Sequence, residues 1–109
     1  FMDDLVESVS GKSEEPLDGT FICFDIETTG LSANHDKITE IGAVKVENGQ
    51  ITDTFSTFAN PGMPIPAKIT ELTGIPDAMV KDAPSQSESV SAFLEFAGDV
   101  RTYQQYGQI

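Results

Sequence analysis

The chain has 109 residues, the size of one small domain, with 39% hydrophobic and 22% charged residues and a formal net charge of −12. Eighteen acidic residues against six basic ones weigh against a free-standing nucleic-acid binder, because phosphate contacts need Lys and Arg. No apolar run reaches the length of a membrane span, the first residues are acidic where a secretory leader is basic, and the single Cys23 forbids an internal disulfide, which together predict a cytoplasmic, reducing setting.

Residues 1–17 are acidic and Ser-rich, with Gly11 and Pro16 and no sustained period. They read as a linker or disordered segment, with a short strand over Leu5–Val9 as the alternative. A first strand is expected over Thr20–Ile26, followed by a polar surface loop over Ser32–Lys37. A second strand follows over Ile38–Glu47, with Ile41 and Ala43 on one side and Gly42, Val44 and Val46 on the other. Both faces of that strand are apolar, so both need cover; Glu40 is the exception and is read as a neighbour of the site or a plain edge carboxylate. Asn48-Gly49 is a strong hairpin signal, since a type I′ turn needs positive φ at both positions. The third strand is expected over Ile51–Ala59, rich in Thr and Phe, and Asn60-Pro61-Gly62 ends it.

Beyond the break, a short helix is expected from Pro66 or Ala67 to Thr73, stopped by Gly74, and Pro76 can begin another turn. A longer helix is expected over Ser87–Ala97, where Val90, Phe93, Leu94 and Ala97 form one apolar face, with Ser85 or Ser87 as cap and Gly98 as stop. The tail Val100–Ile109 has three glutamines and Gly107 against the strand propensity of Tyr103 and Tyr106. It is expected to pair as a strand by default or to stay loose.

The chemistry concentrates in Phe21-Ile22-Cys23-Phe24-Asp25-Ile26-Glu27-Thr28-Thr29-Gly30. Apolar Ile22, Phe24 and Ile26 alternate with Cys23, Asp25 and Glu27, the pattern of a half-buried strand. Side chains two apart share a face, their Cα atoms about 6.6–7 Å apart. Two carboxylates therefore stand side by side at the strand's end, with a Thr-Thr-Gly turn directly after. Burying them without a partner is costly, so either one is protonated or a cation lies between them. Hard oxygen donors suit Mg²⁺ or Mn²⁺, and a pair of such ions about 3.5–4 Å apart can stabilise both the attacking and leaving oxygens of a phosphodiester displacement. Solvated acids at a strand end are the ordinary reading of this spacing alone. Cys23 reads as a small packing residue.

The run FDIETTGLSANHDKITEIGAVKVENGQI, continued by FSTFANPGMPIPAKITELTGIPDAMVKDAP and FLEFAGD, resembles the DEDD-type (DnaQ-like) 3′–5′ exonucleases. Within them it is most similar to the proofreading exonuclease domain of PolC-type DNA polymerase III. The resemblance implies an α/β, ribonuclease H-like fold, truncated to a three-stranded antiparallel meander plus helices with the later parallel strands missing or replaced. It implies a partial exonuclease domain over 18–99 and an atypical tail over 100–109, for which out-of-frame translation of a longer gene is one reading. By the same resemblance Asp25 and Glu27 are catalytic metal ligands, and Ile26, Thr28, Leu31, Leu72 and Thr73 are substrate-binding. Core packing is an equal alternative for Leu31 and Leu72. The expected cofactor is Mg²⁺ or Mn²⁺. The expected partners are a single-stranded DNA 3′ end and the remainder of a polymerase, with no membrane and with self-association through the truncated sheet.

The further aspartates and the general-base histidine of that family are not found in these residues; His35 lies in a surface loop and does not replace the base. The 109 residues are thus expected to be inactive alone. A non-catalytic acidic interaction domain and an RNA exonuclease of the same superfamily are the competing readings.

Overall fold

The structure is a computed structural model that describes residues 1–10 and 19–104. Its elements run in the order α1 (Met2–Ser10), β1 (Thr20–Thr28), β2 (Ile38–Glu47), β3 (Gln50–Phe58), α2 (Ala67–Thr73), α3 (Asp77–Val80), α4 (Gln86–Ala97) and β4 (Arg101–Gln104). The four strands form one sheet in the order β3-β2-β1-β4. The β1, β2 and β3 meander is antiparallel, and β4 returns parallel to β1 after the helical crossover. This is the ribonuclease H-like arrangement in short form, with one parallel strand in place.

Local chemistry accounts for most boundaries. Asn48 and Gly49 take φ of 50° and 82°, the left-handed pair that the two-residue hairpin demands. Gly74 ends α2 at φ 75°, and its N–H reaches the Thr70 carbonyl. Helix α4 starts in a capping box: Ser85 accepts from the Glu88 N–H, and the Glu88 carboxylate accepts from the Ser85 N–H at 3.0 Å.

Alternation on β1 sends its two sets of side chains to two different cores. Ile22, Phe24 and Ile26 join Ile41, Ala43 and Phe55 beneath α4, which supplies Val90, Phe93, Phe96 and Ala97. Phe93 is the centre of that layer, its ring 4.8 Å from Phe24 and 6.3 Å from Phe55 between centroids. The opposite face gathers Cys23, Val44 and Val46 around Leu5, with Met2, Val6, Phe21 and Ile51 at its border. A third cluster of Ile65, Ile75 and Val80 anchors the α2–α3 segment to Phe58.

The N-terminal stretch corrects the sequence reading. Met2–Ser10 is a helix rather than a linker or a strand, and residues 11–18 lie outside those described. Met2, Leu5 and Val6 gain their reason to be helical from the apolar sheet face they cover, a tertiary partner that local pattern does not reveal. The tail forms β4 over Arg101–Gln104, paired with Phe21–Phe24, and residues 105–109 are outside the described set. Among the described residues no helix is long and apolar enough to cross a membrane.

Candidate active site

Strand β1 extends two residues further than the sequence suggested, carrying Glu27 and Thr28 still paired to β2, with a register shift between them. Asp25 and Glu27 point to the α1 side of the sheet, since Cys23 two residues earlier packs against Leu5 there. Glu40 stands directly across from Glu27, and Gly42 across from Asp25. Antiparallel partners project to the same face, so three carboxylates share one patch of sheet.

Burial and neighbouring charge both act on these carboxyls. Burial pushes the Asp25 carboxyl above its ordinary range, against a lowering hydrogen bond from the Ile26 N–H at 2.9 Å. Glu27 is also pushed up, first by burial and then by the charges of Asp25 and Glu40. Burial raises Glu40 as well. The N-terminal ammonium lowers Glu27 and Glu40 without offsetting these raises, and among the described residues the one ion pair is Lys45–Glu47, at 3.6 Å, away from the three acids. Half-buried carboxylate oxygens without a Lys or Arg ion-pair partner are the donor set a hard divalent ion takes. Asp25 and Glu27 fit that role as a pair. Among the described residues no group of three or more His, Cys, Asp or Glu is gathered closely enough to enclose a metal.

The remaining expected site residues divide. The Ile26 side chain lies on the opposite face, packed against the α4 core, which leaves only its backbone to the acid side. Thr28 spends its hydroxyl on the turn, donating to the Gly30 carbonyl and accepting from the Gly30 N–H at 3.3 Å. Leu31 at 84% and Leu72 at 63% exposure are not core residues; both stand in solvent as apolar side chains. Thr73 lines a groove of about 330 Å³ together with Glu40, Phe58, Gly74 and Met79, walled on its other side by the start of α1. The structure thus joins Thr73 to the acid face through Glu40 and places Leu31 just past Glu27. His35 lies exposed in the loop after Leu31.

One feature was left open in the sequence reading, and one escaped it. Glu40 becomes the cross-strand partner of Glu27 only once the hairpin register is fixed, although its isolation in an apolar strand was a signal. Asp36 is the other: its carboxylate binds back onto Thr29 and Ser32, closing the turn that follows the acids. Asp-Lys after a polar loop carries no pattern that announces such a bond.

A mixed sheet with an antiparallel meander, one parallel return strand and an acid pair on its central strand is the architecture of a nuclease. The family model described as Exonuclease (RNase_T) matches residues 22–109, and the chain belongs to that family. It is 57% identical over 96 residues to the PolC-type DNA polymerase III of Caldanaerobacter subterraneus subsp. tengcongensis, covering 88% of this chain and 7% of the relative. The corresponding protein of Clostridium perfringens is 52% identical over 86 residues, covering 79% of this chain and 6% of the relative. The chain therefore spans a small fraction of the curated relatives it matches. Among solved structures, exonuclease X in complex with 5′-overhanging duplex DNA aligns with a TM-score of 0.61 and 30% identity, covering 67% of this chain and 42% of that one. A product-bound exonuclease I aligns with a TM-score of 0.69 over 81% of this chain and 22% of that one, at 14% identity, and shares the fold. The resemblance read from the sequence, to exonucleases and within them to the PolC type, is borne out.

Proposed function

We propose that these residues form the first part of a metal-dependent 3′–5′ exonuclease site that trims a DNA 3′ end in a polymerase of the PolC type. The single observation that carries this reading is the pair Asp25 and Glu27 on one face of the central strand, half-buried, raised by burial and, among the described residues, without a Lys or Arg ion-pair partner. Asp25 and Glu27 would hold Mg²⁺ or Mn²⁺. When bound, such ions supply an activated water and stabilise charge on the attacking and leaving oxygens.

The chain's own residues then do the positioning. Thr28 and Gly30 close a turn directly after the acids, the Thr28 hydroxyl bonding both the N–H and the carbonyl of Gly30, and this turn would border the place where a terminal phosphate or sugar arrives. Leu31 offers an exposed apolar side chain for the terminal base. Thr73 and Glu40 line the groove alongside. Leu72, exposed on the neighbouring helix, is a second apolar contact for the nucleotide. The DNA grip, given the net charge of −12, comes from basic neighbours in the larger protein. Residues 18–99 are the extent proposed for this partial domain. A cytoplasmic location accords with the relatives' replication role.

Binding of Mn²⁺, followed by electron paramagnetic resonance, tests the reading. The purified chain is expected to take up Mn²⁺ weakly, to lose it in Asp25→Asn and in Glu27→Gln, and to leave single-stranded DNA intact. Mn²⁺ uptake indifferent to both substitutions, or rapid DNA degradation abolished by neither, defeats the proposal.

A further inference from the structure

The turn between β1 and β2 contains a polar clamp whose position deepens the exonuclease reading. Thr29 is 1% exposed, and its hydroxyl donates to the Asp36 carboxylate at 2.8 Å while accepting from the Lys37 N–H at 3.0 Å. The second Asp36 oxygen accepts from the Ser32 N–H at 2.8 Å. Main-chain bonds close the neck of the same loop, from the Thr29 N–H to the Lys37 carbonyl at 2.9 Å and from the Asp36 N–H to the Ser32 carbonyl at 2.8 Å. The carboxylate also presses on Gly30: a Cβ there would lie 2.6 Å from Asp36 Oδ2 and 2.9 Å from its Cγ. Gly30 is thus demanded by close approach. Its φ is not in the left-handed region that would by itself call for glycine.

Leu31 is held out into solvent between the two residues that Asp36 grips, Gly30 by contact and Ser32 by hydrogen bond. No catalytic role accounts for Asp36, because it faces the turn and not the acids. We infer that Asp36 is a positioning residue that fixes the Thr28–Leu31 turn as a preformed seat for the terminal nucleotide; this rests on the exonuclease reading above. Without the clamp, the buried Thr29 hydroxyl loses its carboxylate acceptor and keeps only the weak Met63 Sδ at 3.5 Å, and the turn must be ordered anew by each nucleotide it receives, a cost that falls on nucleotide binding and not on metal binding.

The test titrates thymidine monophosphate into the chain at saturating Mn²⁺ and, separately, Mn²⁺ alone. Asp36→Ala is expected to weaken nucleotide binding by about tenfold while Mn²⁺ affinity stays within about twofold. Asp36→Asn keeps the shape but only one of the two acceptors, and should fall between wild type and Asp36→Ala; it also serves if the alanine variant folds poorly. Nucleotide affinity unchanged in both variants overturns the inference. So does a parallel loss of metal and nucleotide, which would mark Asp36 as a support of the fold only. A wild-type chain that binds neither Mn²⁺ nor the nucleotide would instead bring down the exonuclease reading, and the inference with it.

Discussion

Asp25 and Glu27, proposed as the metal-holding pair, are carboxylates that the fold holds at a cost to its own stability. The folded state raises the Glu27 carboxyl by burial and by its acidic neighbours. A raised acid means that the fold is weakened while the group is charged and is relieved as pH falls through its folded value. Glu27→Gln is therefore expected to raise the melting temperature of the metal-free chain at neutral pH by a few degrees, with the gap closing at about pH 4 as wild-type Glu27 takes its proton. Thermal melts followed by circular dichroism at the two pH values check this, and a lower melting temperature in Glu27→Gln at neutral pH would refute it. Asp36 and Glu88 lean the other way: hydrogen bonds lower both carboxyls, those of Asp36 from Ser32 and Thr29 and those of Glu88 from Ser85. The acid pair was legible in the sequence because alternation alone puts both carboxylates on one face. Asp36 was not, since its partners become neighbours only after the loop has closed.

The elements were readable in proportion to how local their causes are. Helix α4 announced itself through a serine cap at Ser85 or Ser87 and Gly98 as stop, together with the spacing of Val90, Phe93, Leu94 and Ala97; the structure settles the cap on Ser85, closed by Glu88. Ser85→Ala is expected to cost about 1 kcal/mol in urea denaturation at neutral pH. The contribution of Glu88 is present above the ordinary carboxylate range and is lost as pH falls through its lowered folded value, so Glu88→Gln should flatten the acid side of the stability profile. A profile of unchanged shape would show that the cap carries no charge-dependent stabilisation. The hairpin and the ends of α2 were equally plain, because Asn48, Gly49 and Gly74 are needed wherever the backbone turns left-handed. Helix α1 was missed for the converse reason. Its Leu5 is buried only against Cys23, Val44 and Val46, which lie far along the chain. The sequence did show that the Gly42, Val44 and Val46 side of β2 required a cover, but it gave no indication of which segment would supply it.

For the whole molecule, two distant helices enclose a shared sheet, and α1 and α4 stabilise opposite faces of β1. Replacing Leu5 by Asp is expected to lift α1 from the sheet and expose Cys23, which is 7% accessible in the intact fold. Reaction with a thiol reagent should then accelerate strongly at a pH and temperature where the β-sheet signal persists. A rate equal to wild type would show that α1 does not guard that face. The parallel return also sets an order of events. The strand bearing the acids is made early, but Phe21 meets Arg101, and Phe24 meets Gln104, only after some 80 further residues have been joined. Such distant pairings form late and slowly, and polypeptides emerge from the ribosome N-terminus first. The nascent strand that bears the acidic pair is therefore bounded on one side only until those residues have been added, and it becomes an interior strand when the return strand pairs with it.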